Sequence, residues 1–348
     1  MSDIVHLSYA LVKPKYTSPE KWLSRVAFVS GVPEKLLPFG KQTVIYHIDY
    51  KGEVEQNGVR IIFPGFKSWQ LLLPFAFNRL IRSLKPDVVL VHGLRFSWQI
   101  IMLRNVLGPN VKIICQHHAD RPFNDFRKYI FRRADKYVSS YFFAAKEHAE
   151  EWVRAGQVSS MNKVHEIMGM SSFFLPSERK NAKHYLWIGD LDNNKDPLLA
   201  VKAFVEFSKK YSDVHLYMIY QRAQIDLTGH INSNIHLVGP VEHSQLQSYF
   251  NEAGFIISTS HYESAGIAVC EALSCGCFPI LTNIPSFRMM TGNGKIGRLF
   301  EPGDGEGLYK ALEETIGIDQ SKQVIDHFNE ELSFEANARK IINVVNLL

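Results

Sequence analysis

Short strand-like runs alternate with helix-length segments along this chain of 348 residues, and the alternation stops once and then restarts. In the first half, the strand-like runs are 4–9, 43–48, 59–63, 87–92 and 111–116, with a weaker unit over 137–168. The helix-length segments among them are 20–29, 69–84, 97–107 and 126–134. This alternation predicts an α/β domain in which helices pack on a parallel sheet.

The second half repeats the pattern. Residues 173–181 change from apolar to polar around Pro176, as is typical of a domain linker. The strand-like runs then resume at 185–188, 214–220, 235–238, 255–258 and 278–281, and the helices at 198–211, 244–252 and 334–348. We therefore expect one domain over 1–175, a second over 176–332, and a helix over 333–348 that packs back on the first domain.

Composition excludes several classes of protein. The 39 basic and 35 acidic residues give a net charge of only +4, which is too small and too scattered to indicate nucleic-acid binding. No apolar run reaches the length of a membrane span, and we expect the longest candidate, 71–77, to be the core-facing start of a helix. Apolar surroundings and the lack of a secretory leader predict a cytoplasmic protein with four free thiols, at Cys115, Cys270, Cys275 and Cys277.

Two glutamates bracket a run of small residues that follows an apolar strand and opens a helix. If one helix carried both Glu263 and Glu271, eight positions would separate them by roughly 12 Å. Carboxylate pairs that hydrolyse glycosides lie about 5 to 9.5 Å apart, so these two suit opposite ends of one elongated ligand. The helix start between them supplies backbone N–H groups for an anion. These groups belong to Ser264, Ala265, Gly266 and Ile267. Sugar, diphosphate and ribose, in that order, fit the span.

The motifs resemble those of the GT-B glycosyltransferases of family 4, a large retaining group that uses nucleotide sugars. Residues 263–276 resemble the E-x7-E motif, 297–304 the downstream G-x-L-x-x-P-G-D segment, and 187–197 the opening G-R-L-x-x-x-K. The resemblance is strong over 185–305 and weaker before that, where 85–93 and 116–118 match best. It implies two Rossmann-like α/β/α domains that face each other across a cleft, the first binding the acceptor and the second the nucleotide sugar.

The same resemblance implies roles for the donor-side residues. Glu271 would hold the ribose hydroxyls, Glu263 would contact the transferred sugar, and the N–H groups of 264–267 would cradle the diphosphate. Lys195 would neutralise charge on the departing nucleotide diphosphate, and Gly189 would lie in the loop that binds the donor.

Two histidines follow the strand-like run 111–116. The resemblance places His118 beside the transferred sugar, and strand alternation turns its neighbour His117 to the opposite face. His92 ends another strand, where ligands of open parallel sheets gather.

Asp190 is a departure from the family pattern, which has an arginine at that place. A carboxylate near a diphosphate repels it, so we expect Asp190 to turn away, to bind a cation or to mark a different handling of the donor. Arg222 or Arg288 would replace the missing arginine. Asp190 and Asp192 also spell a D-x-D metal signature of a different architecture, but their Rossmann-like context predicts that no metal is required.

The predicted function is transfer, with retention of configuration, from a UDP- or GDP-sugar to a saccharide or lipid-linked acceptor in bacterial polysaccharide or glycoconjugate synthesis. A peripheral contact with the inner face of the membrane is a further expectation, since basic and aromatic residues mix in 121–133. No G-x-G-x-x-G follows an early strand, which argues against a nicotinamide-dependent enzyme. A phosphorylase or epimerase of similar architecture and a catalytically silent nucleotide- or sugar-binding protein stay as alternatives.

Overall fold

A computed structural model describes residues 2–12, 16–177 and 180–348, so two residues of the predicted linker, 178 and 179, lie outside the described residues. The chain divides into two compact units. Met1–Ser171 and Phe334–Leu348 form the first, and Ser172–Ser333 form the second. The division comes a few residues before the predicted boundary at 175, and the C-terminal helix belongs to the first unit.

The first unit contains both strands and helices in the predicted alternation. Its strands are β1 (Ile4–Leu7), β2 (Gln42–Ile45), β3 (Lys51–Gln56), β4 (Val59–Pro64), β5 (Val88–His92), β6 (Lys112–Gln116), β7 (Ser140–Phe143) and β8 (Val164–Glu166). Its helices before the linker are α1 (Pro19–Arg25), α2 (Ala27–Leu36), α3 (Ser68–Leu72), α4 (Phe75–Ser83), α5 (Ser97–Leu107), α6 (Arg127–Asp135) and α7 (Glu150–Arg154).

The second unit and the tail continue the same order. The strands are β9 (Asn181–Ile188), β10 (His215–Ile219), β11 (Ile235–Gly239), β12 (Ala253–Ser258), β13 (Phe278–Thr282) and β14 (Arg298–Phe300). The helices are α8 (Pro197–Lys210), α9 (Leu246–Glu252), α10 (Ile267–Ser274), α11 (Pro285–Thr291), α12 (Gly305–Glu313), α13 (Ser321–His327) and, in the first unit, α14 (Phe334–Leu347).

The first sheet has the order β3-β4-β2-β1-β5-β6-β7-β8 and is parallel except for the β3–β4 hairpin. Strand β3 is absent from the sequence prediction because its residues are polar and face solvent along much of the strand. Asn57 and Gly58 connect the hairpin with positive φ angles, as a tight two-residue turn requires. Helices α4, α5 and α6 pack on one face of the sheet, and α2 and α14 pack on the other.

Two predicted helices are each divided in two. The prediction of a single helix over 20–29 is wrong, since Val26 leaves helical geometry at φ −101° and ψ 19° between α1 and α2. The single helix predicted over 69–84 is also wrong, because Pro74 follows Leu73, and a residue before proline is driven out of the helical region. Residues 71–77 do not face the core throughout, because only part of this run is buried.

The second sheet has the order β11-β10-β9-β12-β13-β14 and is parallel throughout its described strands. All the strand ends therefore point to one edge, and the loops that follow β9, β12 and β13 meet there. Within the described residues, no helix combines the length and apolar character that a membrane crossing requires.

Candidate functional site

Polar side chains at the carboxyl edge of the second sheet form a connected network. Thr259 and Ser260, directly after β12, are buried. The Trp187 indole N–H donates to Thr259 Oγ1 at 3.0 Å, and Thr259 Oγ1 donates to the Lys195 carbonyl at 2.6 Å. Thr282 Oγ1, at the end of β13, donates to the Ser260 carbonyl at 2.6 Å. These bonds fix the loops that carry the charged residues of the site.

Lys195 and Glu263 form an ion pair in this network, between Lys195 Nζ and Glu263 Oε1. Their side chains are only 25% and 15% exposed, so the pair is shielded from bulk water more than an ordinary surface pair. Ser260 Oγ donates to the same carboxylate oxygen at 2.8 Å, and Ser286 Oγ donates to the Glu263 carbonyl. An ammonium and a carboxylate, predicted to act on one ligand, are therefore brought together although 68 positions separate them.

Glu263 precedes the helix and does not lie on it. Helix α10 begins at Ile267, so the estimate of about 12 Å along one helix axis does not apply to this pair of glutamates. Gly266 stands at the N-cap in the left-handed region, with φ 61°. A Cβ at Gly266 would lie 2.9 Å from the Phe287 ring, so both backbone and space require glycine here.

The first turn of α10 presents backbone N–H groups to the loop. Within the described residues, no side chain caps this helix start, and Ala265 beside it is small and buried. Uncapped N–H groups at the positive end of a helix dipole are suited to an anion such as phosphate. The sequence prediction of an anion site from Ser264 to Ile267 stays a prediction, now with a defined backbone geometry.

Glu271 is buried in α10 and pairs with His243, a residue that the sequence analysis missed. His243 Nε2 lies 2.7 Å from Glu271 Oε1, and the Phe174 ring stacks on the imidazole at 5.0 Å. Hydrogen bonding to Glu271 raises the pKa of His243 above its usual value, against the opposing effect of burial. No local pattern in the sequence marks His243, because its partner is 28 positions away.

In the loop after β9, Asp190, which stands where the family pattern has an arginine, pairs with an arginine from another segment. Arg222 donates to Asp190 Oδ2 from Nε at 2.9 Å and from Nη2 at 2.5 Å, and its backbone N–H donates to Oδ1 at 3.2 Å. The pKa of Arg222 is raised by this partner. An arginine thus stands beside Asp190 and compensates its charge, while Arg288 donates to the carbonyl and side-chain oxygens of Asn283.

Gly189 and Asp192 hold the same loop close to Lys195. A Cβ at Gly189 would lie 3.2 Å from both the Lys195 side chain and the Trp187 ring, which is tighter than an ordinary contact. Asp192 Oδ1 accepts the Lys195 backbone N–H at 2.9 Å. The carboxylates of the D-x-D sequence therefore have protein partners, and the described residues include no cluster of three or more potential metal ligands.

The predicted histidines lie in the first unit. His118 lines a cavity of about 220 Å³ together with His6 and His92, and His92 Nδ1 lies 3.1 Å from His118 Nε2. His117 instead packs against the Phe143 ring at 4.6 Å. The two neighbours thus serve different surroundings, as strand alternation predicts.

Burial keeps the cavity histidines neutral. It lowers the pKa of His118 to about 4 and that of His6 to about 4, and it lowers the pKa of His92 well below its usual value. The remaining lining is mainly apolar and comes from strand ends and from helices α2 and α14. Neutral imidazoles in such a lining donate and accept hydrogen bonds without adding charge.

Comparison with known proteins links the second unit to one family. The model described as "Glycosyl transferases group 1" matches residues 171–330. A GDP-mannose:cellobiosyl-diphosphopolyprenol alpha-mannosyltransferase from Komagataeibacter xylinus is 32% identical over 101 residues, covering 27% of this chain and 25% of that protein. A D-inositol 3-phosphate glycosyltransferase from Paenarthrobacter aurescens is 25% identical over 158 residues, covering 42% and 38%. The chain therefore spans well under half the length of these relatives.

Solved structures match over the whole chain. A glycosyltransferase from Rickettsia africae has a TM-score of 0.72 at 15% identity, covering 99% of this chain and 98% of that one. The Anabaena protein HepE in complex with UDP-glucose has a TM-score of 0.66 at 11% identity, covering 100% of both chains. These likenesses confirm the predicted fold class, the GT-B fold with two Rossmann-like α/β domains.

Proposed function

We propose that this protein is a retaining glycosyltransferase of family 4 that moves a sugar from a nucleotide-diphosphate sugar to a saccharide or lipid-linked acceptor. The observation that carries the proposal is the Lys195–Glu263 ion pair, which stands at the carboxyl edge of a parallel sheet directly before the glycine turn that opens α10. The match of residues 171–330 to a glycosyltransferase family model supports it. Bacterial polysaccharide or glycoconjugate synthesis is the proposed setting.

The donor would lie along the start of α10. Its diphosphate accepts hydrogen bonds from the N–H groups at 264–267, and its ribose hydroxyls donate to the buried carboxylate of Glu271. His243, already hydrogen-bonded to that carboxylate, would fix its orientation. UDP- and GDP-sugars are the proposed donors, because one relative is named for GDP-mannose and one neighbour is described with UDP-glucose.

In the transfer, the bond between the anomeric carbon and the diphosphate oxygen breaks, and a bond to the acceptor oxygen forms on the same face. The leaving diphosphate gains negative charge, which the Lys195 ammonium and the helix N–H groups stabilise. The acceptor's proton passes to the leaving phosphate, so no protein base is needed. Glu263 orients the transferred sugar, and a divalent metal is not required.

The first unit would bind the acceptor, with His118 next to the reacting sugar. The neutral imidazoles of His118 and His92, which lie beside each other, would form hydrogen bonds with hydroxyl groups of the acceptor and would add no charge to the site. A lipid-linked acceptor would place the protein in the cytoplasm, at the inner face of the membrane.

A thermal-shift panel with UDP, GDP, ADP, CDP and dTDP tests the donor site. A nucleotide at a hundred times its Kd stabilises the native state by about 2.7 kcal/mol, which is readily measured. We expect one or two nucleotides to raise the melting temperature without added metal. If none of the five does so, the proposed donor site is wrong.

Two variants divide the roles of the glutamates. Glu271→Ala should weaken binding of the selected nucleotide, whereas Glu263→Ala should preserve nucleotide binding and lower sugar transfer. Exposed Glu306→Ala serves as the matched control and should change neither. A protein that binds the nucleotide but neither transfers nor slowly hydrolyses any sugar donor would instead be the silent binding module.

A further inference from the structure

Four large apolar side chains project from the first unit at the junction of α3 and α4. Trp69, Leu72, Leu73 and Phe75 are 62%, 63%, 48% and 56% exposed, and together they form what we call the apolar tip. Single exposed apolar residues are ordinary on protein surfaces, but four within seven positions form a patch that indicates an interaction site. The expected donor and acceptor sites make no use of it.

The apolar tip is built into the fold and is held from beneath. Leu71 and Phe77, which flank its centre, are buried at 3% and 0% exposure, and the Phe77 ring packs on Tyr9 at 5.2 Å. Gln99 Nε2 donates to the Leu71 carbonyl at 3.4 Å. The outward direction of the neighbouring side chains therefore follows from anchored residues on either side.

The backbone of the tip has local hydrogen-bond partners. The N–H of Leu73 donates to the Trp69 carbonyl at 3.0 Å, and the N–H of Phe75 donates to the Leu73 carbonyl at 2.9 Å. Pro74 between them has no N–H to satisfy. Pairing of these two N–H groups lowers the cost of moving the segment into an apolar medium.

The charged residues of the segment that carries the tip have one sign. Residues 65–86 contain no aspartate or glutamate but four basic residues, Lys67, Arg79, Arg82 and Lys85. Phe75, Arg79 and Arg82 follow one another at helical spacing on the exposed face of α4. The rise of the helix places the two arginines about 6 and 10 Å along the axis from Phe75, so cationic side chains follow the apolar ones at short range.

Other exposed aromatic residues lie at the same edge of the first sheet. Helices α4, α5 and α6 pack side by side, and each begins after a parallel strand, so their starts share one edge. Trp98 lies in the first turn of α5, Phe126 directly precedes α6, and Tyr129 lies in the first turn of α6, at 46%, 69% and 60% exposure. Lys128 Nζ lies 5.1 Å from the Tyr129 ring centre. Aromatic rings beside cations are typical of a membrane interface.

The membrane contact expected from residues 121–133 stays a prediction, and burial reduces the number of side chains that can make it. Phe123 and Phe131, two of its three phenylalanines, are buried in the core, at 9% and 3% exposure. Arg127 pairs with Asp125 at 2.8 Å, which reduces the positive charge of that segment. Of that patch, Phe126 is the phenylalanine that remains at the surface.

We propose that the apolar tip inserts into the headgroup layer of an anionic lipid bilayer, with Arg79 and Arg82 on the lipid phosphates. Anionic lipid is the partner that suits both features. The apolar side chains of the tip are buried among the lipids, and the basic residues that follow them contact the negatively charged headgroups. Binding to lipid needs neither the sugar donor nor the acceptor, so it can be measured independently of the proposed sugar transfer.

Vesicle sedimentation tests the inference with the full chain. The probes are vesicles of phosphatidylcholine alone and vesicles of phosphatidylcholine and phosphatidylglycerol in equal amounts. We expect binding to the mixed vesicles, and a loss of about tenfold or more in the partition coefficient when Leu72→Ser and Leu73→Ser are combined. Leu347→Ser, at a leucine that is 82% exposed on α14, is the matched control and should bind as the original chain does.

The charge component has its own variants. Arg79→Gln with Arg82→Gln should weaken binding to the mixed vesicles by about tenfold and remove most of its salt dependence, whereas exposed Arg154→Gln should not. All substitutions are at exposed side chains, so unchanged thermal melting is expected and should be checked first. Equal binding by the Leu72→Ser, Leu73→Ser variant and its control overturns the inference. So does a dimer in sedimentation velocity that the same double variant dissociates, because the tip would then be a protein interface.

Discussion

Among single residues, the charged groups of the second unit are defined by partners far away in sequence. Lys195 meets Glu263, Arg222 meets Asp190, and His243 meets Glu271. In the sequence motifs, Lys195, Asp190 and Glu271 are charged residues without an evident partner. The concern that Asp190 would repel a diphosphate is met by Arg222, which forms two charge-assisted hydrogen bonds with it.

The backbone conformation of Gly266 leads to a prediction about stability. Gly266→Ala would force a Cβ into the left-handed region and to 2.9 Å from the Phe287 ring, so we expect a loss of about 1–3 kcal/mol in the free energy of unfolding. Gly229→Ala is the control, because among the described residues beyond its two chain neighbours no atom lies within 4 Å of the added Cβ. It should change stability by about 0.5 kcal/mol or less. Urea denaturation measures both, and equal stability of the two variants would contradict the role given to Gly266.

His243 makes a prediction about pH. Its pKa is raised in the folded state, above the ordinary 6.5, by the hydrogen bond to Glu271. The stabilising contribution of the protonated imidazole is therefore fully present below pH 6.5 and is lost as the pH rises through the folded-state value. We expect His243→Asn to destabilise the protein more in mildly acidic than in mildly basic buffer. Chemical denaturation across this range measures the difference, with exposed His230→Asn as the control; a loss that is independent of pH would refute the assignment.

At the scale of elements, periodicity predicted most strands and helices, but it did not predict their interruptions. Helix breaks at Val26 and Pro74 depend on single residues, and the hairpin strand β3 has the polar composition of a loop. The apolar composition of residues 71–77 predicts a core-facing segment, but composition does not show which side chains point to the core and which to solvent. Only the packing of α4 shows which of its residues face outward.

The cysteines in α10 and in the turn that follows it are expected to be unreactive. Cys270, Cys275 and Cys277 are fully buried, and burial raises the pKa of Cys275 to about 12. The thiolate is the reactive form, so none of these three, nor buried Cys115, should react with a thiol reagent in the native protein at neutral pH. All four should react after denaturation, as a colorimetric titration would count. Rapid native labelling of Cys275 or Cys277 would show that the end of α10 opens readily.

At the scale of the whole molecule, the last helix belongs to the unit that contains the N-terminus. Helix α14 contributes Phe334, Ala338 and Ile341 to the core on one face of the first sheet, beside Val88 and Leu90 of β5. The first unit therefore combines two segments of the chain, and its last element follows the whole of the second unit in sequence.

Ile341 tests that contribution. It is 2% exposed, and Ile341→Ala should lower the free energy of unfolding by about 2–5 kcal/mol through lost burial and a residual cavity. Asn343→Ala, on the exposed side of the same helix, should change it by no more than about 0.5 kcal/mol. Urea denaturation of the two variants decides; a small loss for Ile341→Ala would mean that α14 contributes little to the first unit.

Local sequence patterns are sufficient for the α/β class, for the repetition of the pattern in two halves and for the run around Glu263 and Glu271, because hydrophobic period and turn residues act over a few positions. The partners of these charged groups, including the contact of His243 with Glu271, and the outward direction of Leu72 and Leu73 are visible only in the folded chain. These outcomes depend on strand order and helix packing, which bring together residues tens of positions apart. A local pattern contains no information about that distance.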